Sequence, residues 1–233
     1  MFSLAKVLTG RGAPLIYEPN KCTRIGVIPR YAKCDSEMKW FEVPGFNASH
    51  IINAWENGEE EIVLVASNVM SLEKFLDNKK LDVVLEKVKI NIKTGNVSRN
   101  ILSTRNLDLG SINTACVGKK TRYAYLGVLE ETPKTSGLVK IDLETGNEVG
   151  RRFYGPGCFG GEPLFVRRNS EDDDVECDED DGFVMTYVHN ERTDESIFLL
   201  MDAKSPVFTT IAAVKLPRRV PYGFHGLFYQ LGS

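Results

Sequence analysis

The chain has 233 residues, 42% hydrophobic and 26% charged, a balance that supports a packed core and argues against disorder. A formal net charge of −3, with Lys and Arg scattered, leaves no basic stripe to neutralise a run of phosphates, so nucleic acid is not expected as a partner. The longest apolar runs, such as IVLVA at 62–66, fall far short of the roughly 20 residues that span a bilayer, so no transmembrane segment is expected.

The opening MFSLAKVLTG, 1–10, is too short in its apolar part for a secretory signal and lacks the Arg and Ser content of a transit peptide. Next come segments that read as strands: RIGVIPRY, KWFEVPGF, and HIINAWENGEEEIVLVAS. SLEKFLDNKKLDVVLEK, 71–87, reads as helical or irregular, or as a loop ending in a strand. VKINIKTGN at 88–96 recurs as VKIDLETGN at 139–147. Each copy alternates apolar and polar residues into a Thr-Gly-Asn turn, which marks a β-hairpin. TRYAYLGVLE and GFVMTYVHN read as further strands, and LLMDAKSP at 199–206 is a third, weaker copy of the hairpin start.

The wider spacing before that third copy is accounted for if the acidic run within 170–182 is a loop insertion. Like charges packed this closely read as a solvated loop. Repeats of about 50 residues built from short strands indicate propeller blades, and the length accommodates roughly four. The expected class is therefore all-β, a β-propeller with little helix, as a single domain over 1–233. Cys22, Cys34, Cys116, Cys158 and Cys177 form an odd set without CxxC spacing and read as reduced thiols.

Of three histidines, His50 in NASHIINAWE and His225 in PYGFHGLF lie at or beside strands among apolar, aromatic and small residues. A lone histidine in such a setting is more often a satisfied core residue than a ligand. Inner strand ends of a propeller nevertheless converge on its axis, where imidazoles from different blades can share a metal. His189, in YVHNERTDES, is expected to be exposed at a polar turn. Asp108 in NLDLGSIN and Glu162 in FGGEPLF are carboxylates in apolar or Gly-rich runs, where they either cap a turn or pair with a buried donor.

The segments RIGVIPRYAK, MKWFEVPGF, HIINAWE, NLDLGSIN, GKKTRYAYLG, YGPGCFGGEPLFV, DDGFVMTYVH, MDAKSP and KLPRRVPYGFHGLF closely resemble the C-terminal portion of plant carotenoid cleavage dioxygenases. The resemblance runs from about residue 11 to 229 and is strongest to the type 4 subfamily. It is poorest over 1–10. It implies a partial seven-bladed β-propeller, the C-terminal blades, around one non-haem Fe(II) per intact site held by four histidines. His50 and His225 match two of these metal ligands and catalytic positions, and Asp108 and Glu162 match the acids that hydrogen-bond them. The implied reaction is O2-dependent cleavage of a carotenoid or apocarotenoid at the 9,10 or 9′,10′ double bond.

The resemblance also implies a plastid location, with peripheral membrane or plastoglobule association for full-length members. No substrate-contacting residue is singled out by it. Two departures stand out. Asp108 occupies a position where the family more often has glutamate, and the blades that carry the other two histidines, the third acid and the transit peptide are expected to lie outside this chain. His189 matches a peripheral strand rather than the axis and is not expected to replace them. The expectation is a C-terminal fragment of a dioxygenase, the alternative a catalytically inactive propeller fragment with at most a binding role.

Overall fold

The computed structural model describes residues 18, 20–70, 81–131, 133–168, 178–223 and 225–229. The opening 1–10, the expected helix or loop over 71–80 and most of the acidic run lie outside these residues. Among the described residues there is no α-helix. Two single 3-10 turns, Asp35–Glu37 and Thr114–Cys116, interrupt an otherwise all-antiparallel chain.

Three four-stranded blades follow one another. The first is β3 (Ala48–Asn57), β4 (Glu61–Val69), β5 (Val83–Asn91) and β6 (Val97–Ser103), paired in that order. The second is β7 (Leu107–Ser111), β8 (Tyr123–Leu129), β9 (Thr135–Asp142) and β10 (Glu148–Phe153). The third is β12 (Leu164–Arg167), β13 (Gly182–Asn190), β14 (Glu195–Asp202) and β15 (Thr210–Lys215). Upstream, β1 (Arg24–Val27) and β2 (Lys39–Glu42) form a two-stranded sheet, so a fourth full blade is not found among the described residues. A short β11 (Cys158–Gly160) pairs with β13 and, through Gly160 and Thr135, with β9, which stitches the second and third blades together.

The hairpin echo is structural. In both copies the last strand residue, Asn91 or Asp142, accepts through its side chain from the two amides that open the turn, Lys93 and Thr94 or Glu144 and Thr145. The turn glycines, Gly95 (φ 80°) and Gly146 (φ 77°), sit in the left-handed region that a side chain disfavours. Asp202 does the same for Lys204 in the third copy, where a longer turn closes from Asp202 N to Thr209 O.

Period-two alternation explains the core. Strand β4 directs Val63 and Val65 toward the second blade and Leu64 and Ala66 toward the β1–β2 side. Strand β8 directs Ala124, Leu126 and Val128 toward the first blade and Tyr125 toward the third, where it stacks on Phe165 with ring centroids 5.1 Å apart. A strand covered on both faces is apolar without a break, which is why IVLVA appears as a continuous run.

The solvated-loop expectation for the acidic run fails at its C-terminal end. Glu179 accepts from Thr121 Oγ1 (2.6 Å) and from the backbone N–H groups of Arg122 and Tyr123 (2.9 and 2.8 Å). Asp180 pairs with the buried Lys140 (2.5 Å), Asp181 with Arg168 (3.1 Å) and Asp178 with Lys204 (2.8 Å). Local charge density misleads here because distant strands deliver the compensating cations and amides. Replacing Glu179 by Ala strands these donors and is expected to lower the unfolding free energy by about 1–3 kcal/mol, read by chemical denaturation; an unchanged midpoint would mean the segment is solvated after all.

Candidate active site

His50 lies near the start of β3, within a stretch where the pairing to β4 slips twice, between Ala48 and His50 and between Ile51 and Asn53. Such bulges re-aim side chains and are common beside functional sites. The loop entering β3 is held from below: Asn68 Oδ1 accepts from Asn47 N (2.6 Å), and Arg99, paired with the buried Glu86 (2.7 Å), donates to Pro44 O.

Asp108 sits on β7 of the second blade, next to another slip in pairing. The residue after it, Leu109, is buried yet has φ 54°, a strained backbone for a residue with a bulky side chain. Gly110 follows because a Cβ there would lie 2.4 Å from Ile52 Cδ1. This tight crossing of β7 against β3 brings Asp108 Oδ1 to 2.9 Å from His50 Nδ1, between residues 58 apart in sequence. Asp108 is 7% exposed and His50 26%, so the pair is largely shielded from water.

Glu162 lies between β11 and β12. Its two oxygens are divided: Oε1 is 3.1 Å from His225 Nδ1, and Oε2 accepts from Gly226 N at 2.8 Å. Ser111 fixes this corner, donating through Oγ to Pro163 O (2.5 Å) and accepting from Phe165 N (3.1 Å). One short strand therefore carries both devices, Asp108 for His50 and Ser111 for the corner that holds Glu162.

The two imidazoles meet edge to face, with ring centroids 5.0 Å apart and planes at 82°. This is within reach of a single centre with metal–nitrogen bonds of about 2 Å. With each Nδ1–H donated to a carboxylate, each Nε2 keeps its lone pair, and among the described residues no side chain or backbone group bonds to either Nε2. The hydrogen bond to Asp108, reinforced by the charges of Asp108 and Glu162, raises the His50 pKa above its ordinary value despite partial burial.

Two imidazoles with carboxylate-held Nδ1 atoms fit Fe(II) or another borderline cation as part of a ligand set. They do not complete one: among the described residues no group of three or more His, Cys, Asp or Glu is placed so as to hold a metal ion by itself. All four residues singled out from the sequence are thus brought together. His189 is not part of this group, and the expectation that it is exposed is incorrect. It is 4% exposed, because β13 runs on to Asn190 before turning and the segment after β15 lies over the ring. Ser111 was not singled out in the sequence, since one Ser in NLDLGSIN carries no signal of which backbone it will meet.

The chain matches the family model described as retinal pigment epithelial membrane protein over residues 1–230 and belongs to that family, the carotenoid oxygenases. It is 52% identical over 236 aligned residues to a probable chloroplastic carotenoid cleavage dioxygenase 4 of Arabidopsis thaliana, covering 99% of this chain and 39% of that protein. It is 51% identical to the chromoplastic zeaxanthin 7,8(7′,8′)-cleavage dioxygenase of Crocus sativus, covering 89% and 58% of the two chains. Among solved structures, the cobalt-substituted apocarotenoid oxygenase of Synechocystis superposes with a TM-score of 0.82 at 26% identity, covering 95% of this chain and 47% of that one. The fold is accordingly a part of the β-propeller of these enzymes, and the chain spans less than two thirds of the length of each.

In the metal-free chain the His50 ring should titrate above about 6.5, and Asp108→Asn should bring its midpoint down, read from imidazole NMR signals against pH. The sign for stability follows. A raised folded pKa adds stability below about pH 6.5 that is lost as pH rises through the folded value. A His50 midpoint that does not move in Asp108→Asn would break the assigned pairing.

Proposed function

We propose that this chain contributes the C-terminal share of the catalytic centre of a carotenoid cleavage dioxygenase. The observation that carries the reading is the convergence of two imidazoles from separate segments, each with Nδ1 tied to its own carboxylate and each with an Nε2 that has no partner among the described residues. In it, His50 and His225 are ligands of Fe(II), and the remaining ligands come from outside these 233 residues. Fe(II) held there supplies the redox chemistry by which O2 reacts with an electron-rich double bond. The net change is one carbon–carbon double bond and one O2 converted to two carbonyls.

Within that reading, Asp108 and Glu162 do three things. They fix each ring's rotation, keep its proton on Nδ1, and increase the donor strength of Nε2. Gly226 N–H takes the second Glu162 oxygen, so the carboxylate cannot swing toward the metal without leaving an amide unpaired. The substrate is a carotenoid or apocarotenoid, cut at the 9,10 or 9′,10′ bond on the resemblance to the type 4 subfamily, and the location is a plastid, as the names of the curated relatives indicate for those proteins.

A second reading, a propeller segment with at most a binding role, rests on the two-imidazole count among the described residues. A hybrid separates the two. With this chain in place of the matching segment of the Arabidopsis relative, β-carotene or an apocarotenal should yield carbonyl products, His50→Ala or His225→Ala should abolish them, and Asp108→Ala should slow turnover about 10- to 100-fold. The isolated chain should give none. A folded but inactive hybrid favours the binding reading, and His225-dependent product from the isolated chain would show that two imidazoles suffice.

A further inference from the structure

After β15 the chain forms a strap, whose described residues 216–223 and 225–229 have no regular secondary structure, and this strap carries His225. The side chain of His225 is 61% exposed, so packing does not hold it in place. What places the strap is a small set of polar anchors on the third blade. Leu216 N donates to Ser196 O (2.9 Å) and Val220 N to Ser196 Oγ (3.1 Å). Tyr222 donates its hydroxyl to Glu191 Oε1 (2.9 Å), which is also paired with Lys134 (2.6 Å).

Ser196 is 1% exposed and faces His189 across the β13–β14 pairing, with Oγ 3.0 Å from His189 Nδ1. A hydroxyl has one hydrogen. With Oγ accepting from Val220 N–H, that hydrogen is free to go to His189 Nδ1, and the imidazole N–H then lies on Nε2, toward Asp194 Oδ1 at 3.6 Å. Val220 N–H and Ser196 O–H then each have an acceptor, Ser196 Oγ and His189 Nδ1. The Tyr222 ring closes over the imidazole edge to face, with centroids 6.1 Å apart. Between the strap and the blade remains a cavity of about 230 Å³ that reaches from His189 to Glu162 and His225, so the strap bridges a gap rather than lying on a filled surface.

We propose that the buried His189–Ser196 pair is a positioning device that docks the strap through Val220 N–H and thereby sets where the His225 imidazole stands. Buried polar groups at this depth are retained where they specify one arrangement over others, and an apolar pair would leave Val220 N–H unpaired and the strap free to slide along the blade. His189 and Ser196 touch neither His225 nor Glu162 and act only through the strap. The role assigned to His225 rests on the functional reading above, whereas the docking itself does not.

The test uses the 15N-labelled chain and amide hydrogen exchange followed by NMR. Ser196→Ala should speed exchange at Val220 and at Gly226 by about fivefold to tenfold, as for one lost hydrogen bond, while amides of β4, β8 and β13 stay unchanged and Ser196→Thr restores protection. Val220→Pro, which removes the donor while leaving the buried pair in place, should expose Gly226 alike, so the proposal stays testable if Ser196→Ala fails to fold. Protection at Gly226 that is unchanged in either folded variant would overturn the docking role. Co(II) titration of the hybrid separates the two levels: altered exchange at Gly226 with Co(II) binding that ignores His225→Ala keeps the docking and overturns the ligand role.

Discussion

Two carboxylate–imidazole hydrogen bonds, Asp108 to His50 and Glu162 to His225, are the constraint around which the rest of the structure is arranged. Each joins segments about 60 residues apart, 58 and 63, so each is a contact between blades or between a blade and the strap rather than within a hairpin. A hydrogen bond of this length tolerates little sliding of one blade against another. The bulges in β3, the positive φ at Leu109 and the missing Cβ at Gly110 are the local deformations that let two twisted sheets approach closely enough to make the first of them.

The apolar layers between blades give these polar contacts their rigidity. Leu126 and Val139 of the second blade pack with Val65 and Leu85 of the first, and Tyr125 and Leu138 pack with Phe165 and Val184 of the third. Packed at crystal-like density, such layers transmit position from one blade to the next, so Ser111 and Asp108 on one strand can fix both sides of the site. The strap is different in kind. Its fixed points are a few hydrogen bonds to Ser196, Glu191 and Glu162, and the geometry of His225 therefore depends on polar anchors where that of His50 depends on packing.

Much of the fold was legible in the sequence because hairpins are local. Alternation with period two and the Thr-Gly-Asn turns at 94–96 and 145–147 specify strand, turn and strand without reference to the rest of the chain. His50, Asp108, Glu162 and His225 were legible through resemblance, since no spacing rule links residues on different blades. The deformations were not: LDLG reads as an ordinary alternating strand, and a Leu with positive φ leaves no trace in composition. His189 and Glu179 misled for a shared reason, because both stand in polar, locally charged surroundings and are covered by groups that arrive through tertiary structure, Tyr222 for one and the Thr121–Tyr123 segment for the other.

The central claim is that both rings present Nε2 while their Nδ1 protons are held by carboxylates. Long-range 15N–1H correlation spectra of the metal-free chain, recorded above the pH at which the rings lose their charge, report the tautomer of each histidine directly. The account predicts the Nδ1–H form for both His50 and His225. An Nε2–H form at either ring, or a rapidly averaging mixture, would contradict it.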